Sequence, residues 1–121
     1  MPWELDSDRP IYAQIVDRLK HEIVSGFYPP GSRLPSVRDL AAQASVNPNT
    51  MQKAFTELER TGLIVTRRTS GRTVTEDTAL IEQVRSELAE LQISQFLTRM
   101  QHLGYQKDDS IRLLLAKKEE N

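Results

Sequence analysis

Apolar residues recur along this chain with two different periods, and the change of period maps the fold. Ile11, Ile15, Leu19 and Ile23 step by four, joined by Val16, and predict an amphipathic first helix. Pro10 stands at its start, where the missing N–H costs nothing, and Gly26 supplies a C-terminal stop. The stretch FYPPGSRLP that follows is too rich in proline and glycine for a helix interior. Within it Arg33-Leu34 reads as a very short strand. Ser36 then caps a second helix with Leu40, Ala41 and Ala44 on its apolar side. Ser36-Val37-Arg38-Asp39 has the spacing of a capping box, with aspartate in place of the usual Glu or Gln. That helix stops near Ser45. Asn47 caps a third helix, with Pro48 at its first position. Met51, Ala54, Phe55 and Leu58 follow at i, i+3, i+4 and i+7, and Thr61-Gly62 ends the run.

Beyond Gly62 the pattern turns strand-like. Leu63 to Thr69 (LIVTRRT) and Arg72 to Thr75 (RTVT) read as two strands, joined at a tip formed by Thr69-Ser70-Gly71-Arg72. From about Ala79 a long helical pattern begins. Ile81, Val84, Leu88 and Leu91 step by three and four, then Phe96, Leu97, Met100 and Leu103 shift the stripe, and Gly104 breaks it. A last short helix starting at Asp108 or Asp109 carries Ile111, Leu114 and Leu115. Three helices followed by a hairpin is the order of a winged helix-turn-helix. The expected class is therefore mainly α with a small β-hairpin (α+β). A winged helix-turn-helix DNA-binding domain is expected over residues 1–78, and a two-helix C-terminal dimerisation domain over 79–121.

Composition narrows the functional classes. The chain has 121 residues, 38% of them hydrophobic and 27% charged, which describes a folded soluble protein. Its apolar runs are too short to span a bilayer. The start, MPWELDSDRP, has neither the basic beginning nor the apolar stretch of a signal peptide. With no cysteine there are no disulfides or thiolate zinc sites, and a reducing cytoplasm is the expected compartment. His21 and His102 have no partner at ligand spacing, so no metal is expected. Neither a nucleophile–base arrangement nor a phosphate-cradling loop is present, so the reading is not an enzyme and calls for no cofactor.

Net charge is −1, yet the charge is unevenly distributed. Residues 61–75 hold Arg67, Arg68 and Arg72 and no acid; residues 33–56 hold Arg33, Arg38 and Lys53 against Asp39 alone. Local basic patches on a near-neutral chain suit a directional nucleic-acid face, and equally an ordinary charged surface.

The third helix tips that balance. At about 100° per residue, Asn49, Gln52, Lys53 and Thr56 face away from the apolar stripe. Helix faces that are merely solvated carry Glu, Lys and Arg, as this helix does at Glu57, Glu59 and Arg60. Amides and hydroxyls suit base edges in the major groove. The first turn of the helix is expected to offer N–H groups and a positive dipole end to phosphate. Gly71 allows a tight turn or close approach, and Arg72, with one of Arg67 and Arg68, suits phosphates or the minor groove. Ser36 and Asn47 are good caps whatever the function. Arg38 is electrostatically misplaced for stability at a helix start, which favours a binding role.

The stretches PIYAQIVDRLKHEIVSGFYPPGSRLPSVRDLA and VNPNTMQKAFTELERTGLI together resemble the GntR family of bacterial transcription regulators, over Pro10 to about Val74. The short two-helix tail resembles that of the YtrA-like subfamily. The resemblance implies a homodimeric winged helix that binds operator DNA. It implies that Arg38, within LPSVR, contacts DNA; that Asn47, Asn49, Thr50 and Gln52 read the major groove; and that Ser70, Gly71 and Arg72 enter the minor groove. Two departures stand out. Ser45 replaces the glycine usual between the two helices, where a left-handed residue would cost about 1 kcal/mol, so a slightly different turn is expected. Thr69 replaces a second wing glycine.

The expected function is a sequence-specific transcription regulator, a homodimeric repressor on a palindromic operator. The candidate DNA-binding set is Ser36, Arg38, Asn47, Asn49, Thr50, Gln52, Lys53, Arg67, Ser70, Gly71 and Arg72. The candidate dimer interface is Val84, Leu88, Leu91, Phe96, Leu97, Met100, Leu103, Ile111 and Leu114, more apolar surface than two lone helices can bury. The alternatives are a winged helix used for protein contact and a non-specific architectural DNA binder. Any small-molecule effector has to fit between the tail helices, at the dimer interface, or between tail and winged domain.

Overall fold

The computed structural model describes residues 3–119, so the outermost two positions at each end of the expected domains lie outside it. Among the described residues there are five helices and one two-stranded sheet: α1 (Ile11–Val24), α2 (Val37–Ala44), α3 (Pro48–Thr61), β1 (Ile64–Arg67), β2 (Gly71–Val74), α4 (Thr78–His102) and α5 (Lys107–Ala116). The chain divides into two compact units, the first ending at Arg85 and the second beginning at Ser86.

In the first unit the predicted stripes meet. Ile15, Leu19 and Ile23 of α1, Leu40 of α2, and Met51, Ala54, Phe55 and Leu58 of α3 are all buried to within 1% of full burial. α3 packs against α1, α2 and β1, so it lies at the centre of this core. The hairpin closes it with Leu63, Ile64 and Val74. Its register pairs Ile64 with Val74 and Arg67 with Gly71. The strands are shorter than the sequence suggests. Arg68, Thr69 and Ser70 make the turn, and Gly71 belongs to β2 rather than to the tip. Ile64 and Val74 must share the core face directly opposite each other, and that pairing sets where the chain has to reverse. The short strand expected at Arg33-Leu34 is a single bridge from Arg33 to Thr73.

The second turn of the fold carries strain. Ser45 has φ 58° and ψ 47°, the conformation glycine usually supplies at a helix end. The expected change of turn does not occur. The N–H of Val46 donates to the Ala41 carbonyl at 3.0 Å, and this closure holds the serine left-handed. At the start of α2 the Ser36 hydroxyl accepts from the Asp39 N–H at 3.0 Å. The reciprocal bond of a capping box is absent there among the described residues. A complete box forms at α5, where Gln106 is the cap and Asp109 accepts from its N–H at 2.9 Å. Asp109 is thus the third helical residue, and α5 begins at Lys107 rather than at Asp108 or Asp109.

A device that periodicity did not reveal is Gln14, which is buried within α1 at 6% exposure. Its carbonyl oxygen accepts from the Asp6 N–H at 2.7 Å, and its amide donates to the carbonyls of Asp6 (2.7 Å) and Arg9 (3.1 Å). A buried amide needs such partners, and here they fasten the segment before α1. Trp3 in that segment lies under the Arg18 guanidinium, 4.1 Å from the ring centre.

The second unit is built differently. Ser110 is its single buried residue among those described. Among the described residues, all the exposed large apolar side chains but Phe27 lie in it: Leu91, Ile93, Leu103, Tyr105, Ile111, Leu113, Leu114 and Leu115.

Replacing Ser45 by glycine removes a left-handed non-glycine residue, so Ser45→Gly should raise the unfolding free energy by up to about 1 kcal/mol. Urea unfolding with an unchanged m-value measures this; a loss of stability would show that the serine is not strained.

Candidate nucleic-acid interface

With the apolar stripe of α3 buried, its opposite face is fixed. Asn49, Gln52, Lys53 and Thr56 are all exposed, as the wheel predicts. The Thr56 hydroxyl donates to the Gln52 carbonyl (3.0 Å), and the Gln52 amide donates to that hydroxyl at 3.3 Å. Gln52 is thereby braced along the helix. Lys53 stands on the flank, its ammonium 4.0 Å from the centre of the Tyr12 ring. Cation–π contact at an exposed site is weak, about 0.5–1 kcal/mol, so the ring steers this charge rather than neutralising it.

The start of α3 differs from expectation. Pro48 has no N–H, the Asn47 side chain accepts from the Asn49 N–H at 2.7 Å, and the Asn47 carbonyl accepts from Thr50 (3.0 Å) and Met51 (3.1 Å). The N–H groups of Asn49, Thr50 and Met51 are used internally, so none of these three is spare for a phosphate, which would meet the helix dipole. Asn47 is a cap through its carbonyl oxygen; its NH2 group makes no hydrogen bond among the described residues. Asn47 and Thr50 line a cleft of about 400 Å³ with Trp3, Leu5, Ile11, Ala44, Ser45 and Val46.

Ser36 and Gly71 meet at a second cleft, of about 130 Å³, with Arg33, Leu34, Pro35, Val37, Phe55 and Arg72. Arg38 is exposed in the first turn of α2 and forms no ion pair among the described residues. Arg67 is exposed at the end of β1, and Ser70 is half-buried in the turn. Gly71 has φ +73°, a conformation that disfavours any side chain there.

Arg72 departs from the role expected of it. Its guanidinium donates to Glu59 at 3.0 Å and lies 5.3 Å from the centre of the Phe55 ring. The same carboxylate accepts from the Thr66 hydroxyl at 2.6 Å. Glu59, from the last turns of α3, therefore ties both wing strands. Arg72 lies on β2, and its guanidinium reaches back to the Glu59 carboxylate near the end of α3. The Thr66 hydroxyl first, and then the Arg72 guanidinium, hold the Glu59 carboxyl below its ordinary value, against the upward push of burial. Glu59, Thr66 and Gln14 were missed in the sequence. Glu59 looks like part of a solvated helix end until the hairpin, 13 residues on, is folded back onto it.

The residues that form this surface match the family model described as "Bacterial regulatory proteins, gntR family" over positions 11–74. The chain is 35% identical over 108 residues to the uncharacterised HTH-type transcriptional regulator YhcF of Bacillus subtilis (strain 168), covering 89% of each chain. It is 40% identical over 100 residues to the HTH-type transcriptional repressor YtrA of the same organism, covering 81% of this chain and 76% of that one. The fold is similar to a solved GntR family transcriptional regulator from Listeria monocytogenes, with a TM-score of 0.84, 40% identity, and coverage of 94% of this chain and all of the other.

A depressed folded-state value means that the Glu59 clamp stabilises above the ordinary carboxylate pKa and is lost as pH falls through the folded value. Glu59→Gln should therefore lower the melting temperature at neutral pH and make it less sensitive to acid. Thermal melts at stepped pH read both; parallel curves for the two proteins would remove Glu59 from the acid response.

Proposed function

This chain belongs to the GntR family of bacterial regulatory proteins and is a transcription regulator with a helix-turn-helix DNA-binding domain, and from that premise we propose that it is a homodimeric repressor reading a palindromic operator. The observation that carries the reading is the outer face of α3. Asn49 and Gln52 are exposed on a helix that the core holds in one rotation, and Arg38, on the preceding helix, is exposed and in no ion pair among the described residues. Amides at these positions match adenine edges, and an arginine matches guanine or phosphate. In this reading Arg38 and the first two turns of α3 contact the major groove, while Ser70 and Gly71 bring the wing backbone close to the duplex.

One α3 reads only a few base pairs, which is weak discrimination against a genome of competing sites. Two copies about a two-fold axis double the contacts and require half-sites about one helical turn apart. The second unit supports this pairing. Leu91, Leu103, Ile111 and Leu114 are exposed, and Leu88, Phe96, Leu97 and Met100 are half-buried; Val84, also half-buried, lies just before this unit. Apolar side chains exposed in this number on a short helical unit call for a partner, and a second copy is the simplest one. Repression rests on the likeness to YtrA, and a cytoplasmic location fits action on bacterial DNA.

Selection from random duplexes should recover an inverted repeat; equal retention of all sequences would leave an architectural binder instead. On the recovered duplex, Arg38→Ala should cost on the order of 1–3 kcal/mol of binding free energy in a salt-matched gel shift, with melting unchanged. Light scattering behind size exclusion should give the mass of a dimer at micromolar concentration. A monomer there would sink the two-fold mechanism.

A further inference from the structure

Arg67 is exposed at the end of β1, whereas Arg72 is committed to Glu59. A third arginine reaches the wing. Arg33 lies in the connection between α1 and α2, and three hydrogen bonds fix its backbone beside β2. The Val74 N–H donates to Ser32 (2.9 Å), the Leu34 N–H to Arg72 (2.9 Å), and the Gly31 N–H to Val74 (3.0 Å). The bridge between Arg33 and Thr73 sits among them. The guanidinium extends over Gly71: a Cβ on that glycine would stand 3.7 Å from Nε and 3.8 Å from an Nη of Arg33. Arg33 is exposed, and among the described residues none of the ion pairs includes it. It shares its cleft with Ser36 and Gly71.

We propose that Arg33 is a phosphate-binding side chain of the wing, and that Arg72 is a positioning residue which, through Glu59, holds the strand on which Arg33 rests. The proposal builds on the operator-binding reading above. A guanidinium with no carboxylate partner keeps its planar fork of donors available, and a phosphate takes two of them in parallel. Gly71 beneath it has no side chain to hold the duplex away. The backbone bonds fix where the side chain starts, so little freedom is lost when it docks. Seen this way, residues from two distant parts of the sequence form one wing tip.

The test uses the full chain, the duplex recovered by selection and a scrambled duplex of equal length, with binding read by anisotropy over a series of salt concentrations. Arg33→Ala should weaken binding severalfold on both duplexes and reduce the slope of log affinity against log salt by about 1. Arg33→Lys should restore the slope, and neither change should move the melting temperature. Should Arg33→Ala melt early, Arg33→Gln keeps the stem and is read in its place. Arg72→Ala should leave the slope intact and lower the melting temperature. An unchanged slope in Arg33→Ala, or a slope lost in Arg72→Ala alone, overturns the proposal. If Arg38→Ala weakens binding while the Arg33 variants do not, only the assignment of Arg33 fails. If the unsubstituted protein prefers no duplex, the operator reading fails and this proposal with it.

Discussion

Burial of Met51, Ala54, Phe55 and Leu58 fixes the rotation of α3 about its own axis, and the rest of the winged unit takes its bearing from that. Each large side chain of the stripe contributes roughly 1.5–3 kcal/mol by leaving water. Turning α3 by one residue would swing it by about 100° and carry Gln52 or Lys53 into the core. An amide or ammonium without partners there would cost several kcal/mol more. The outward direction of Asn49 and Gln52 is therefore a by-product of where the apolar residues go. An outward face needs no separate stabilising device when its back is held this firmly.

The wing follows from the same helix. α3 stops at Gly62, which takes φ +87°, and Leu63 and Ile64 enter the core at once. One turn beyond Phe55, Glu59 reaches the hydroxyl of Thr66 and the guanidinium of Arg72. The recognition helix thus holds both strands of the hairpin, and β2 in turn seats Ser32–Leu34. Arg72 fails to reach outward for the same reason that the wing is well placed: its charge is the tie. Where that charge is withdrawn, the neighbouring Arg33 remains uncommitted.

Strain and exposure mark the two places where local preference yields. Ser45 accepts a left-handed backbone because the closure after α2 and the cap at Asn47 leave no other path between the helices. In the second unit, apolar side chains stay in water because two helices of this length have too little surface to cover each other. The proposed dimer would answer that exposure, as the core of the first unit answers the stripes of α1, α2 and α3.

The sequence by itself determined the elements and their inner faces. Four-residue steps, caps and proline positions depend on near neighbours, so α1, the turn at Ser45 to Pro48, α3 and the existence of a hairpin were legible from the chain. The outer face of α3 was legible for the same reason, being the complement of a periodic stripe. Tertiary structure alone decided what depends on distant residues meeting. It moved Gly71 out of the tip and into β2, through the pairing of Ile64 with Val74. It tied Arg72 to Glu59, buried Gln14 under the segment before α1, and laid Arg33 across the wing. None of these carries a periodic signal, because each is a bond between side chains or strands that only the folded chain brings within reach.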